Sequence, residues 1–130
     1  MEYKYLFSPI KLGPVTIKNR IVTAPHATHF FSEGNLLDDR YIEYHRARAK
    51  GGTGLIIAGG MTVMPSSRNI FVQEIYDERV VPLLRRLAEA VHQYETKLFV
   101  QIVHCGRQMA SGFGRQAIWA PSAIPCPVIR

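Results

Sequence analysis

Cysteine is scarce in this sequence: 130 residues hold two, Cys105 and Cys126. They have neither the pairing of a CxxC motif nor the density of a disulfide scaffold. A structural metal needs about four ligands in a recognisable spacing, which two isolated thiols and scattered histidines do not supply. Both cysteines therefore read as ordinary reduced thiols, and no metal is expected. Long apolar runs are missing too. None approaches the roughly 18 residues of a membrane span, and Glu2 and Lys4 interrupt the first residues where a signal peptide would be apolar. The expectation is a cytoplasmic protein with no membrane partner. Acidic residues are the minority, ten against sixteen Lys and Arg, for a formal charge of +6. The basic residues nevertheless spread from Lys4 to Arg130, with nothing denser than Arg46, Arg48, Lys50 or Arg85, Arg86. Both groups fall on predicted helices, where charge marks a solvated face. Nucleic acid is not an expected partner, and the same positive field would suit an anionic small ligand.

What is present is the balance of a globular domain, 47% hydrophobic and 20% charged. The organising stretch is NRIVTAPHAT, Asn19 to Thr28. Ile21 to Ala24 favour a strand, Pro25 stops it, and His26, Thr28 and His29 follow where strand passes into loop. Before it, LFSPIKLGPVTI turns about Gly13 and Pro14 and predicts a small hairpin that covers apolar surface. After it, Asp38 or Asp39 can cap a helix ending before Gly51 and Gly52. Leu37, Tyr41, Tyr44 and Arg48 share one face of that helix, as packing positions.

Leu55 to Ala58 form an apolar run bounded by glycines, a strand buried on both faces. Gly59 and Gly60 then mark either a tight turn or a close approach to something flat. A loop containing Pro65, Ser66, Ser67 and Arg68 runs to about Tyr76. A second helix follows, with Val80, Leu83, Leu84, Leu87, Ala88 and Val91 on one face and Pro82 tolerated in its first turn. Lys97 opens a third strand, Leu98 to Val103, whose polar exception is Gln101. A buried amide must find partners, from another backbone or from a ligand edge bearing donors and acceptors. The remainder, from His104, is rich in Gly and Pro and reads as loop.

Alternation of strand and helix specifies a parallel sheet with helices packed outside. Parallel sheets bind ligands at the carboxyl ends of their strands. An eight-stranded barrel takes about 250 residues, so the predicted fold is α/β, the N-terminal portion of a (β/α)8 TIM barrel. It comprises about three βα units preceded by a β-hairpin, with residues 1–130 as one incomplete domain.

The segments LFSPIKLGPVTIKNRIVTAPHAT, GLIIAGG, LFVQIVHCGR and APSAI, in that order, resemble the N-terminal part of the old yellow enzyme family, the NADH:flavin oxidoreductases. The likeness is strongest to the branch containing 2,4-dienoyl-CoA reductase and trimethylamine dehydrogenase. It implies an FMN-binding barrel and an ene-reductase type of reaction, with hydride passing from NADH or NADPH through flavin to an activated carbon–carbon double bond. An enone, enoate or enoyl-thioester would be the small-molecule substrate. The resemblance places Pro25, His26 and Ala27 along the isoalloxazine ring, Gly60 where backbone nears the flavin, and Gln101 on the pyrimidine edge. His104 and Arg107 belong to the HxGR segment, with no role assigned.

Ala27 stands where relatives carry Thr or Cys, so neither a hydrogen bond nor a covalent flavin link is expected there. The family's proton donor and phosphate loops match nothing up to Arg130, which leaves the catalytic residues unknown. Two alternatives to a catalytic chain stay open: a truncated, non-catalytic product, or a subunit that needs a complementary chain. Self-association through the open barrel edges is compatible with the second.

Overall fold

The computed structural model describes residues 3–68, 72–109 and 117–128. Its elements are β1 (Ile10–Leu12), β2 (Val15–Ile17), β3 (Val22–Thr23), α1 (Asp39–Lys50), β4 (Leu55–Thr62), β5 (Gln73–Glu74), α2 (Val80–His92) and β6 (Lys97–Val103). The hairpin forms as the sequence predicts: β1 and β2 pair antiparallel, with Leu12 opposite Val15. Gly13 takes φ +56° between them. A glycine accepts that conformation at the first turn position, and the fixed φ of Pro14 suits the second.

The main sheet is parallel, with β4 at its centre. Val22 lies beside Leu55 and Thr23 beside Ile56, while β6 runs along β4 from Leu55–Lys97 to Thr62–Val103. Since β6 accompanies β4 along its length, β3 and β5 share the other edge, β3 at its beginning and β5 at Met61–Thr62. The strand β5 lies inside what reads in the sequence as loop, so four parallel strands replace the three expected. Two residues carry too little periodicity to signal a strand.

Helix α1 starts where Asp38 accepts the backbone N–H of Tyr41 at 3.0 Å, and the chain turns away at Gly51 and Gly52. In α2, Pro82 sits in the first turn, where no intrahelical donor is required. Leu37, Tyr41, Ile42 and Ala49 pack with Ile56, Ala58 and Met61 of β4 and with Val80, Leu87, Ala90 and Val91 of α2. This single apolar layer between helices and sheet is the core. Burying each Leu, Ile, Val or Met of this layer contributes roughly 1.5–3 kcal/mol.

The amino ends of the strands are tied together by polar side chains. Asn19, buried, donates to Gly52 O at 2.8 Å and accepts from Ile21 N at 3.1 Å. Thr96, also buried, donates to Thr53 O at 2.6 Å. An added Cβ on Gly54 would stand 2.9 Å from Cγ2 of Ile17, so the hairpin does close over this end of the sheet. With one end committed to structure, the carboxyl end is left for binding.

Three strand expectations need correction. The first strand is shorter than Ile21–Ala24, because only Val22 and Thr23 reach the ladder. Gly59 and Gly60 do not follow β4 but lie within it, joined by a cis peptide at a shift in the β4–β6 register. Gln101 is not buried: β6 is the outer strand among the described residues, and Gln101, Phe99, Val100 and Ile102 are exposed. From His104 onward the described residues hold no strand or α-helix, as expected; the parts of that loop at 110–116 and 129–130 lie outside the described residues.

Candidate flavin-ring site

Gly60 and Gln101 meet directly. Ala58 pairs with Val100 and Met61 with Ile102, which puts Gln101 opposite the register shift at Gly59–Gly60. An added Cβ on Gly60 would stand 3.3 Å from Oε1 of Gln101 and 2.8 Å from Cγ1 of Val103. Side chains alternate along a strand, and Leu98 packs on the core between sheet and helices. Phe99, Gln101 and Val103 therefore face the side of the sheet that carries no helix. There the Gln101 amide makes no side-chain hydrogen bond among the described residues and is open to a ligand.

The other three predicted site residues follow β3 at this same carboxyl end. Pro25 is half-buried, and His26 and Ala27 are exposed. The alanine supplies no polar group, so His26 carries the polar chemistry of the segment. Its Nδ1 lies 2.9 Å from Ala24 O, and its Nε2 meets Oη of Tyr44. Tyr44 in turn lies under Arg48, whose guanidinium carbon is 3.2 Å from the ring centroid.

Behind this pair stands His45, 2% exposed, with its ring 4.5 Å from that of Tyr41. Neither of its ring nitrogens finds a hydrogen-bond partner among the described residues. Burial, with His26 and Arg48 acting the same way, lowers its pKa to about 4. Burial also pushes the Tyr41 phenol up to about 12. Both groups are neutral and act as packing. The helical period places Tyr44 on a packing face, yet nothing in it signals the hydroxyl contact to His26.

Ser66 and Ser67 read in the sequence only as loop residues, with no sign of the contacts they make. Both are buried in a short 3₁₀ turn, Pro65–Ser67, beyond β4. Ser67 Oγ accepts the N–H of Cys105 at 2.8 Å, and Ser66 Oγ lies 3.3 Å from Nε2 of His104. His104 thereby serves to join two loops, while Arg107 is exposed. Beside them Met64, His104, Gly106, Trp119, Ala120 and Pro121 line a cavity of about 410 Å³. Among the described residues no group of three or more His, Cys, Asp or Glu could hold a metal ion, and no helix is long and apolar enough to cross a membrane.

The donor set suits a flat heteroaromatic ring with polar groups on its edge. Gln101 offers one donor face and one acceptor face to such an edge, and the missing side chain at Gly60 leaves backbone accessible next to it. An FMN isoalloxazine has that shape and that edge, so the residues present fit it.

Comparison with known proteins gives the family. The chain is 37% identical to an N,N-dimethylglycine/sarcosine dehydrogenase of Chromohalobacter salexigens, across 100% of this chain and 19% of that protein. It is 42% identical to an NADH oxidase of Thermoanaerobacter brockii, across 96% of this chain and 20% of that one. It thus spans about a fifth of the length of these two relatives. Among solved structures, the old yellow enzyme homologue from Zymomonas mobilis superposes with a TM-score of 0.85 at 29% identity, covering 94% of this chain and 34% of that one. The sequence pattern of the family matches residues 5–125, and this chain belongs to the NADH:flavin oxidoreductase / NADH oxidase family, whose cofactors are FMN and NADH or NADPH.

Proposed function

We propose that this chain forms one wall of the FMN ring site in an NAD(P)H-dependent oxidoreductase of ene-reductase type. The observation that carries the proposal is the Gly60–Gln101 pair: an exposed, unengaged amide beside a position without a side chain, on the helix-free face at the carboxyl end of the sheet. Gln101 would hydrogen-bond the pyrimidine edge of the ring, Gly60 would let it approach the backbone, and Pro25, His26 and Ala27 would flank it. When bound, FMN supplies hydride transfer between NADH or NADPH and an activated double bond. The protein's part is to fix the ring and keep water from one side of it. The substrate proposed is an enone, enoate or enoyl-thioester. One relative is named for the oxidation of methylated amines, so an assay must offer both kinds of substrate.

The test is Gln101→Leu in the full-length protein, followed by FMN affinity, flavin potential and folding stability. Loss of an edge-on amide should cost on the order of 1–3 kcal/mol of flavin binding. Folding stability should hold, since the amide is exposed. Unchanged affinity and potential would remove Gln101 from the flavin site.

A second reading is favoured by β6. Its outer edge is unpaired among the described residues, and Phe99, Val100 and Ile102 are exposed there. On this reading the polypeptide is a non-catalytic product or a subunit completed by another chain, and a free parallel edge invites such pairing. Intact mass in the source cell, with light scattering of the purified protein, separates the two readings.

A further inference from the structure

His26 has both ring nitrogens engaged by its own protein, and the partners differ in kind. Ala24 O can only accept, so the hydrogen lies on Nδ1, 2.9 Å away. In the neutral ring Nε2 is then the acceptor, and the hydroxyl of Tyr44 donates to it. Tyr44 is held from several sides. The Phe30 ring meets it edge-on at 5.8 Å, the His26 ring is tilted against it at 5.3 Å, and Arg48 covers its face. Arg48 is itself anchored, donating from Nη1 to the Tyr44 carbonyl at 2.9 Å one helical turn back. A cation is attracted to the face of an aromatic ring, so the anchored Arg48 fixes the orientation of Tyr44 and of the hydroxyl it carries.

We infer that Tyr44 and Arg48 of α1 are positioning residues for the flavin wall: they hold His26 as its Nδ1–H tautomer with both nitrogens occupied, so that His26 offers a ligand its ring surface and neither an N–H nor a lone pair. The inference rests on the proposed function for the flavin itself, whereas the Tyr44–His26 relation stands independently of it. His26 then has no proton to offer a ligand, although it is the most prominent polar side chain of its segment. The Tyr44–His26 contact also makes a helix on the far side of the sheet part of what shapes the site.

The experiment is ring-nitrogen NMR on the full-length protein labelled at histidine, with His26→Gln to assign the signals, without and with FMN. The wild-type protein is expected to show the Nδ1–H pattern, with the Nε2 resonance displaced as for a lone pair accepting a hydrogen bond. Tyr44→Phe should move Nε2 to the position of a bare lone pair, and Arg48→Met should move it part of the way. An Nε2–H pattern in the wild-type protein overturns the inference whether or not either variant folds. An Nε2 resonance unmoved by Tyr44→Phe overturns it as well, and one unmoved by Arg48→Met removes Arg48 from it. Ring protons of His26 that do not respond to FMN count against the placement of the flavin, leaving the tautomer result as it stands.

Discussion

Oγ of Ser66 and Nε2 of His104 lie 3.3 Å apart, joining the turn beyond β4 to the loop beyond β6. Gly106 N–H points at the other nitrogen, Nδ1, at 3.1 Å. Nδ1 therefore accepts and Nε2–H donates to the serine. Next to it, buried Ser67 accepts the N–H of Cys105 at 2.8 Å. The two serines give the far end of the sheet a fixed floor.

The two serines should differ in cost. Ser67→Ala leaves a backbone donor without its partner and should lower stability by ~1–2 kcal/mol. Ser66→Ala removes a longer contact to an exposed histidine and should cost ~0.5 kcal/mol or less. Urea unfolding of both variants decides this, and equal costs would show that the loops are not held as described.

The glycines of β4 should also separate. At Gly59, φ is +131° and an added Cβ would stand 2.8 Å from the Gln101 carbonyl oxygen, which is backbone. Gly59→Ala should cost ~2–3 kcal/mol. At Gly60 φ lies outside the left-handed region and the nearest atoms are side-chain ones, Cγ1 and Cβ of Val103 at 2.8 and 3.2 Å, so Gly60→Ala should cost less, ~1–2 kcal/mol. Thermal melts rank them, and a greater loss at Gly60 contradicts the geometry.

His45 should make stability fall with acid. Its pKa is 6.5 in the unfolded chain and about 4 in the fold, chiefly through burial. Above pH 6.5 it is neutral in both states and contributes no pH dependence. Between 6.5 and about 4 the unfolded chain binds the proton and the fold does not, so stability drops by up to ~3 kcal/mol. His45→Leu should flatten that part of the profile. Urea midpoints measured from pH 7 down to pH 4.5 check the sign, and parallel profiles for the two proteins would refute it.

The ion pair between the helices should matter little. Arg86 Nη2 and Asp39 Oδ1 are 2.7 Å apart, but both side chains are more than half exposed. Arg86→Ala should change stability by less than ~0.5 kcal/mol, because solvent screens such pairs. A loss well above 1 kcal/mol in a melt would mean that the arginine stem, and not its charge, packs the helices.

Except on α1, where it marked Tyr44 and Arg48 while the helix buries Ile42, His45 and Ala49 beside Tyr41, the sequence by itself determined what is local: the Asp38 cap, the Gly13–Pro14 turn, the apolar face of α2, and the order of strand and helix. Each depends on residues within a turn or two of one another, where propensity and period act directly. It also marked Pro25, His26, Ala27, Gly60 and Gln101 through resemblance, and Gly60 and Gln101 do come together. Only the tertiary structure decided that β5 joins the ladder, that Gln101 is exposed on an outer strand, that the Gly59–Gly60 backbone presses on β6, and that His26 answers to Tyr44. The physical reason is range. A strand's partners, a side chain's exposure and a hydrogen bond between Ser67 and Cys105 depend on segments far apart in the chain, which no local pattern encodes.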